Sequence, residues 1–366
     1  MHSPNVRRIV SISSIFCLAL TSTNAAASTI AQNVSWTIDR PDSETTLRVV
    51  AYGDSIFAGY KGSIFRVAIW SAPNVDGEYA SALWGTDVEV VRRTKSGATA
   101  SDIYQSKIVE DASWMQAAET RVVAFEMCGN DALQARSHLT GQEGVCDYTR
   151  LDEALAECTT YQEQAMVFIN ANAHANVVLK QISNLYYPGY ASDDSPTHCT
   201  DADSGLALNK QDIFLSYLAH MNWRACNLAF MNGFKCADTF AEFMGSDYDS
   251  NGDGRVDSRA LRYRRKESEE SYVHRITTTL RSTLRDADAH FFREATSFDY
   301  IQSDETHPTY TGGTVYLGAL GGSANGSSPP RYTADQIRHG KNRIWKKLGH
   351  ERMGYTMSKK TPALLN

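Results

Sequence analysis

The chain has 366 residues, 42% of them hydrophobic and 21% charged, which is the make-up of a folded protein and excludes a disordered, collagen-like or repeat chain. Its formal net charge is −6 at pH 7. An acidic balance argues against nucleic acid as a partner, because a polyanion is bound through clustered Lys and Arg.

Met1 to Ala27 carries Arg7 and Arg8, a modestly apolar run from Ile9 to Leu20, then polar residues and Ala25-Ala26-Ala27. This is the pattern of a secretory signal peptide, so a secreted or periplasmic protein is expected after its removal. A spanning helix needs roughly 20 apolar residues, and the run is shorter, so no stable membrane anchor is expected. Cleavage after Ala27 takes two arginines and no acid, leaving 339 residues and a net charge of −8. It also removes Cys17, leaving Cys128, Cys146, Cys158, Cys199, Cys226 and Cys236. An even number in an oxidising compartment predicts three disulfides, with 15 connectivities open. A zinc site is not expected, since no C-x-x-C pair occurs.

After a polar lead from Ser28 to Thr46, Leu47 to Tyr52 reads as a short buried strand that runs straight into Gly53-Asp54-Ser55. Val88 to Val91 is a second strand, ending near Ser96-Gly97, and Arg121 to Phe125 a third, ending near Gly129-Asn130-Asp131. Ser101 to Ala118 between them is long enough for a helix. Tyr148 to Ala173 has helical spacing, with Leu151, Leu155, Cys158, Tyr161, Ala165 and Phe168 on one stripe, and Ala175 to Ile182 looks like a fourth strand. Strand alternating with helix argues for an α/β sheet of mainly parallel strands.

From Tyr186 to Leu206 the chain is rich in Gly, Pro, Ser and Asp, as in a long surface excursion. Its Tyr186-Tyr187-Pro188-Gly189-Tyr190 run either packs within the loop or lines a pocket. A helix over about Lys210 to Met231 leads to a fifth strand expected within Phe234 to Phe243. Asp249, Asn251, Asp253 and Asp257 stand at positions 1, 3, 5 and 9 of a calcium-type loop, with Gly254 at position 6 and Val256 at position 8. Position 12 is Ala260, where such a loop wants a bidentate acid. A structural Ca²⁺ in the segment 249–260 is therefore one expectation and a metal-free acidic turn the other. The basic stretch Arg259 to Lys266 is followed at once by Glu267, Glu269 and Glu270, as on a solvated helix face expected to run to Phe292. Thr309 to Leu320 and Thr333 to Leu348 are the last expected helices.

A serine just beyond the carboxyl end of a first strand is well placed to act on a ligand. The tripeptide Gly53-Asp54-Ser55 alone is common, but it has companions in a fixed order: Gly97, Gly129-Asn130-Asp131 and Asp304-Glu305-Thr306-His307. Together these blocks resemble the GDSL, or SGNH, hydrolase family over about Leu47 to Leu320, with Ser55, Gly97, Asn130 and His307 at the four block positions and Asp304 completing D-x-x-H. The third block departs from the common G-x-N-D, having Cys128 where the first glycine would stand.

The resemblance implies a three-layer α/β/α sandwich with a flavodoxin-like sheet, in one domain over 28–366 enlarged by an insertion at about 186–292. It also implies a secreted serine esterase acting on a small-molecule, lipid or glycan ester, with no cofactor for catalysis. Ser55 is then the nucleophile, His307 the general base and Asp304 its orienter, because a serine hydroxyl needs an imidazole to take its proton and the imidazolium needs a carboxylate. The oxyanion hole would consist of the Ser55 and Gly97 backbone N–H groups and the Asn130 amide. A disulfide at Cys128 would clamp the loop that presents Asn130. The rival reading is a non-catalytic, calcium-dependent carbohydrate-binding or adhesion protein centred on the 249–257 loop.

Overall fold

The computed structural model describes residues 32–40, 43–60, 72–187, 198–245, 249, 251–255 and 257–284. The expected signal peptide, Tyr190, Asp304, His307 and the expected helices from Thr309 onward lie outside these residues.

Valine and alanine crowd the centre of the sheet because its strands are covered on both faces, which removes any need for polar alternation. The main sheet uses β1 (Asn33–Ile38), β2 (Thr46–Gly53), β3 (Asp87–Thr94), β4 (Thr120–Phe125), β5 (Leu179–Ser183) and β8 (Lys235–Ala237) in the order β1-β3-β2-β4-β5-β8. Strands β3, β2, β4, β5 and β8 are parallel, and β1 is antiparallel to β3 at one edge. Setting β1 aside, this is the 2-1-3-4-5 strand order of flavodoxin-like sheets. The chain leaves β2 towards β3 on one side and returns to β4 on the other. That reversal opens a crevice at the carboxyl ends of these three strands.

The period of two along each strand decides which helix each side chain meets. Val50, Tyr52, Val123 and Phe125 point to one face, where they pack with Ile103 of α3 (Ala100–Ile103), Met115 of α4 (Ser113–Gln116) and Met166 and Ile169 of α6 (Thr149–Asn172). Val49 and Val122 point to the other, against Ala80 and Trp84 of α2 (Ala72–Trp84). Ala51 and Ala124 share that second face with α5 (Gly129–Thr140), α7 (Lys210–Met231), α8 (Thr239–Met244) and α10 (Glu269–His274) through Leu139, Leu215, Phe240 and Tyr272. Helices therefore cover both faces and the three-layer architecture expected from the sequence is present. Each buried Val or Leu is worth about 1.5–3 kcal/mol, so the sheet centre is the firmest base for groups mounted at its strand ends.

The structure differs from the expectations at several elements. The polar lead contains β1, in which Val34, Trp36 and Ile38 alternate with polar residues and Ile38 alone is fully buried. The expected helix over Ser101 to Ala118 is broken: after α3 the chain forms a π-helical stretch, Tyr104–Val109, before α4. The fifth strand covers only Lys235–Ala237, because the Asp238 side chain accepts the Ala241 N–H and starts α8. The excursion after Tyr186 contains an antiparallel pair, β6 (His198–Thr200) with β7 (Ala207–Asn209). Beyond the short α9 (Asp257–Ala260), α10 passes into a π-helical stretch, Arg275–Thr279, and a 3-10 turn, Arg281–Thr283, in place of one helix running on towards Phe292. The span 186–292 thus supplies α7 and β8 to the main fold as well as added segments.

All six expected cysteines pair, as Cys128–Cys158, Cys146–Cys199 and Cys226–Cys236, with sequence separations of 30, 53 and 10. Loop-closure entropy makes a longer loop the more valuable to close, about 4 kcal/mol for Cys146–Cys199 against about 3 kcal/mol for Cys226–Cys236. Replacing Cys146 and Cys199 together by Ser should therefore lower stability in urea by about 1 kcal/mol more than replacing Cys226 and Cys236, as read from unfolding midpoints at equal m.

Candidate active site

Three of the block residues sit at the carboxyl ends of adjacent strands. β2 ends at Gly53 and the chain turns at once into α1 (Ser55–Ala58), with Asp54 as its N-cap; the Asp54 carboxylate accepts the Ile56 N–H at 2.8 Å. Ser55 is the first residue of this turn and is buried. The turn stops at Gly59, whose φ of 66° lies in the left-handed region that glycine adopts without steric cost. Gly97, beyond β3, has φ of +77° with open space around a Cβ position, so the backbone conformation, not crowding, calls for glycine there. Thr99 then caps α3 in a capping box with Asp102.

Asn130 is the second residue of α5, directly after β4. Its side-chain Nδ2 donates to Asp54 Oδ2 at 3.1 Å and to the Ala98 carbonyl at 2.9 Å. One amide thus ties the residue before Ser55 to the residue after Gly97. The structure brings Ser55, Gly97 and Asn130 to one end of the sheet. Both Asn130 amide hydrogens are occupied, so donating one to a reacting oxygen requires sharing or releasing Asp54 or Ala98.

Cys128 precedes α5 with φ of 84°, the single non-glycine in the left-handed region among the described residues. This is the position where the family pattern has its first glycine. Such a conformation costs on the order of 1–3 kcal/mol for a side chain, and here the disulfide to Cys158 of α6 holds it. The next residue is also constrained, because a Cβ on Gly129 would lie 2.9 Å from Asp54 Oδ2.

Asp131 is buried at 7% exposure and accepts the Ala100 N–H at 2.9 Å, which anchors the start of α3 just beyond Gly97. Burial pushes its carboxyl up to about 6. From the other side, the Gln32 side chain before β1 accepts the Ser96 N–H. Sequence reading missed this role, since Gln32 lies in the segment taken as a polar lead.

Next to Ser55 is a cavity of about 70 Å³ lined mainly by apolar groups, among them Ile56, Leu133, Leu185 and Phe214, with Asp54, Glu126, Asn130, Arg136 and Asn184 among its polar members. Its far wall is built with care. Leu185 exchanges two hydrogen bonds with the side chain of Asn222 in α7, and Asn184 is fixed by Asp238 and the Phe240 N–H. Tyr187 packs on Phe214 with ring centroids 5.5 Å apart. The tyrosines of the 186–190 run that lie within the described residues thus both pack and line the pocket.

The 249–257 loop is a separate place. Asp249 accepts the backbone N–H groups of Gly252, Asp253 and Gly254, Asn251 accepts that of Asp253, and Asp253 that of Arg255. These bonds tie the side chains of Asp249, Asn251 and Asp253 to the loop's own backbone. Asp249, Asn251 and Asp253 are exposed, whereas Asp257 and Ala260 are buried. Among the described residues no group of three or more His, Cys, Asp or Glu side chains is arranged to hold a metal ion.

No protein-family model and no curated protein matches the chain. Among solved structures it is similar to a lipase from a goat rumen metagenome, at 18% identity over 65% of this chain and 97% of that one, with a TM-score of 0.41. It is also similar to an extracellular lipase from Streptomyces rimosus, at 15% identity over 75% and 98% of the two chains and a TM-score of 0.39. A third is a catalytic mutant of an acetylxylan esterase from Geobacillus stearothermophilus, at 15% identity over 55% and 78% and a TM-score of 0.36. These likenesses are remote, and the chemistry of the site rests on its own residues.

The sign of the Asp131 titration follows from its raised value. Between the ordinary carboxylate value of 3.8 and about 6 the folded chain keeps a proton that the unfolded chain has released, so stability falls as pH rises through this window. The full effect is at most about 3 kcal/mol, at 1.36 kcal/mol per unit. Asp131→Asn, measured by urea unfolding at pH 4, 5, 6 and 7, should flatten that part of the stability profile; an unchanged profile would show that Asp131 is not the group responsible.

Proposed function

We propose that this protein is a secreted serine hydrolase of carboxylic esters, working through an acyl-serine intermediate. The observation that carries the reading is the joining of three strand ends at one serine: Asn130 holds both Asp54, next to Ser55, and Ala98, next to Gly97, and an apolar cavity opens beside Ser55. In this reading His307, oriented by Asp304, takes the Ser55 proton as Oγ attacks the ester carbonyl. The Ser55 and Gly97 N–H groups and the Asn130 amide then receive the negative charge on the oxygen. Each such donor is typically worth about 3–4 kcal/mol in the transition state. The protonated His307 returns its proton to the leaving alcohol, and a water activated by the same imidazole releases the acid.

The apolar lining suits the acyl part of the ester. Three disulfides support export to an oxidising compartment. Among the described residues no helix is long and apolar enough to cross a membrane. The 249–257 loop has no part in the proposed chemistry.

Ser55→Ala and His307→Ala should each remove hydrolysis of p-nitrophenyl esters, by at least about 10³-fold in kcat, as when one member of a nucleophile–base unit is lost, with the melting temperature kept within a few degrees. Turnover by Ser55→Ala at the wild-type rate would rule out the acyl-serine route. The same assay over acyl chains of two to sixteen carbons assigns the preferred ester.

A further inference from the structure

Glu126 belongs to no block of the sequence motif, yet it is an ionisable side chain with 4% exposure at the carboxyl end of β4. Its Oε1 accepts the Asp54 backbone N–H at 2.6 Å, the Phe57 N–H also bonds to it, and its carboxyl hydrogen-bonds to that of Asp54. The pair is tightly enclosed. A Cβ on Gly53 would lie 2.5 Å from Glu126 Oε1 and 3.0 Å from its Cγ, and one on Gly129 would lie 2.9 Å from Asp54 Oδ2. Glycines on both sides thus make room for two carboxyl groups.

Two buried carboxyls in contact cannot both ionise without a large repulsion, so the pair keeps one proton. Asp54 is the better-supported anion, because its oxygens receive the Ile56 N–H and the Asn130 amide. Burial first, and the Asp54 charge second, push Glu126 well above the usual carboxylate range. Other charged groups near the pair are Asp131 of α5, whose charge interacts with Asp54, and Arg136 of α5, which lines the same cavity.

We propose that Glu126 is a positioning residue held as the neutral acid, which donates its proton to the Asp54 carboxylate while accepting the Asp54 and Phe57 N–H groups, and so fixes the turn that presents Ser55. The Asp54 carboxylate, steadied in this way, in turn holds Asn130. The influence on turnover rests on Ser55 being the nucleophile; the protonation state of Glu126 does not.

Glu126→Gln keeps the shape, the acceptor and a donor but cannot ionise, whereas Glu126→Leu keeps the volume alone. Glu126→Gln should retain kcat within about threefold and lack the fall in activity expected of the wild type where rising pH takes the proton from Glu126. Glu126→Leu should lose kcat by about 10- to 100-fold, the scale of one charge-assisted hydrogen bond, with little change in KM. Folding provides a reading independent of catalysis. Wild-type stability should decline with pH above the ordinary carboxylate range, because the folded chain holds protons on Glu126 and Asp131 that the unfolded chain has released, and Glu126→Gln should make that decline shallower, leaving the part due to Asp131. A Glu126→Gln variant as slow as Glu126→Leu, a Glu126→Leu variant as fast as wild type, or an identical stability slope in wild type and Glu126→Gln would each overturn the proposal. If the wild type hydrolyses no ester at all, the serine reading falls, and the stability slope still decides the state of Glu126.

Discussion

The site depends on one hydrogen-bonded path running across three strand ends. Glu126 after β4 accepts the Asp54 N–H after β2, the Asp54 carboxylate accepts from Asn130 in α5, and Asn130 reaches the Ala98 carbonyl after β3. Every link is at least partly buried, where an unmet polar group costs about 1–3 kcal/mol. The partners are therefore hard to separate. Ser55 has little freedom as a consequence, since the residue before it is held by main chain and side chain at once.

The sheet makes that path possible. Because the strand order reverses at β2, the ends of β2, β3 and β4 are neighbours although more than 70 residues separate Asp54 from Asn130. The register pairs Gly53 with Thr94, and Lys95 N donates to the Gly53 carbonyl at 3.0 Å, so the β3 exit is tied to the β2 exit. On the far side the Cys128–Cys158 disulfide fastens the β4 exit to α6. Backbone in the left-handed region at Cys128 and Gly97 turns the chain sharply after both strands. Rigid strands, sharp exits and a covalent clamp together hold functional groups with a precision that free loops do not supply.

The strands β2, β3 and β4, the long helices α6 and α7 and the even cysteine set were legible because their signals are local: valine runs, a 3.6-residue stripe and a count. Ser55, Gly97 and Asn130 could be singled out through the order of their blocks. The disulfide partners could not, since pairing is set by which strand ends and helices become neighbours. β1 was hidden by a half-exposed edge position that keeps polar residues, and the short β8 by Asp238, which starts a helix inside an apolar run. Glu126 was the least legible residue. A lone glutamate after a valine-rich strand reads as a surface residue, and its meaning arises only when β2 and β4 lie side by side. Gly53 makes room for Glu126, as Gly129 does for Asp54, but a glycine does not say in the sequence what fills the space beside it.

In the proposed chemistry Ser55 is the reactive group of this molecule. Treating the intact protein with a fluorophosphonate probe and mapping the adduct by peptide mass spectrometry tests it most directly. One adduct is expected, on Ser55, that disappears in Ser55→Ala and forms more slowly when His307 is replaced by Ala. An unlabelled Ser55 in protein that is folded and carries all three disulfides, or labelling centred on another residue, would contradict it.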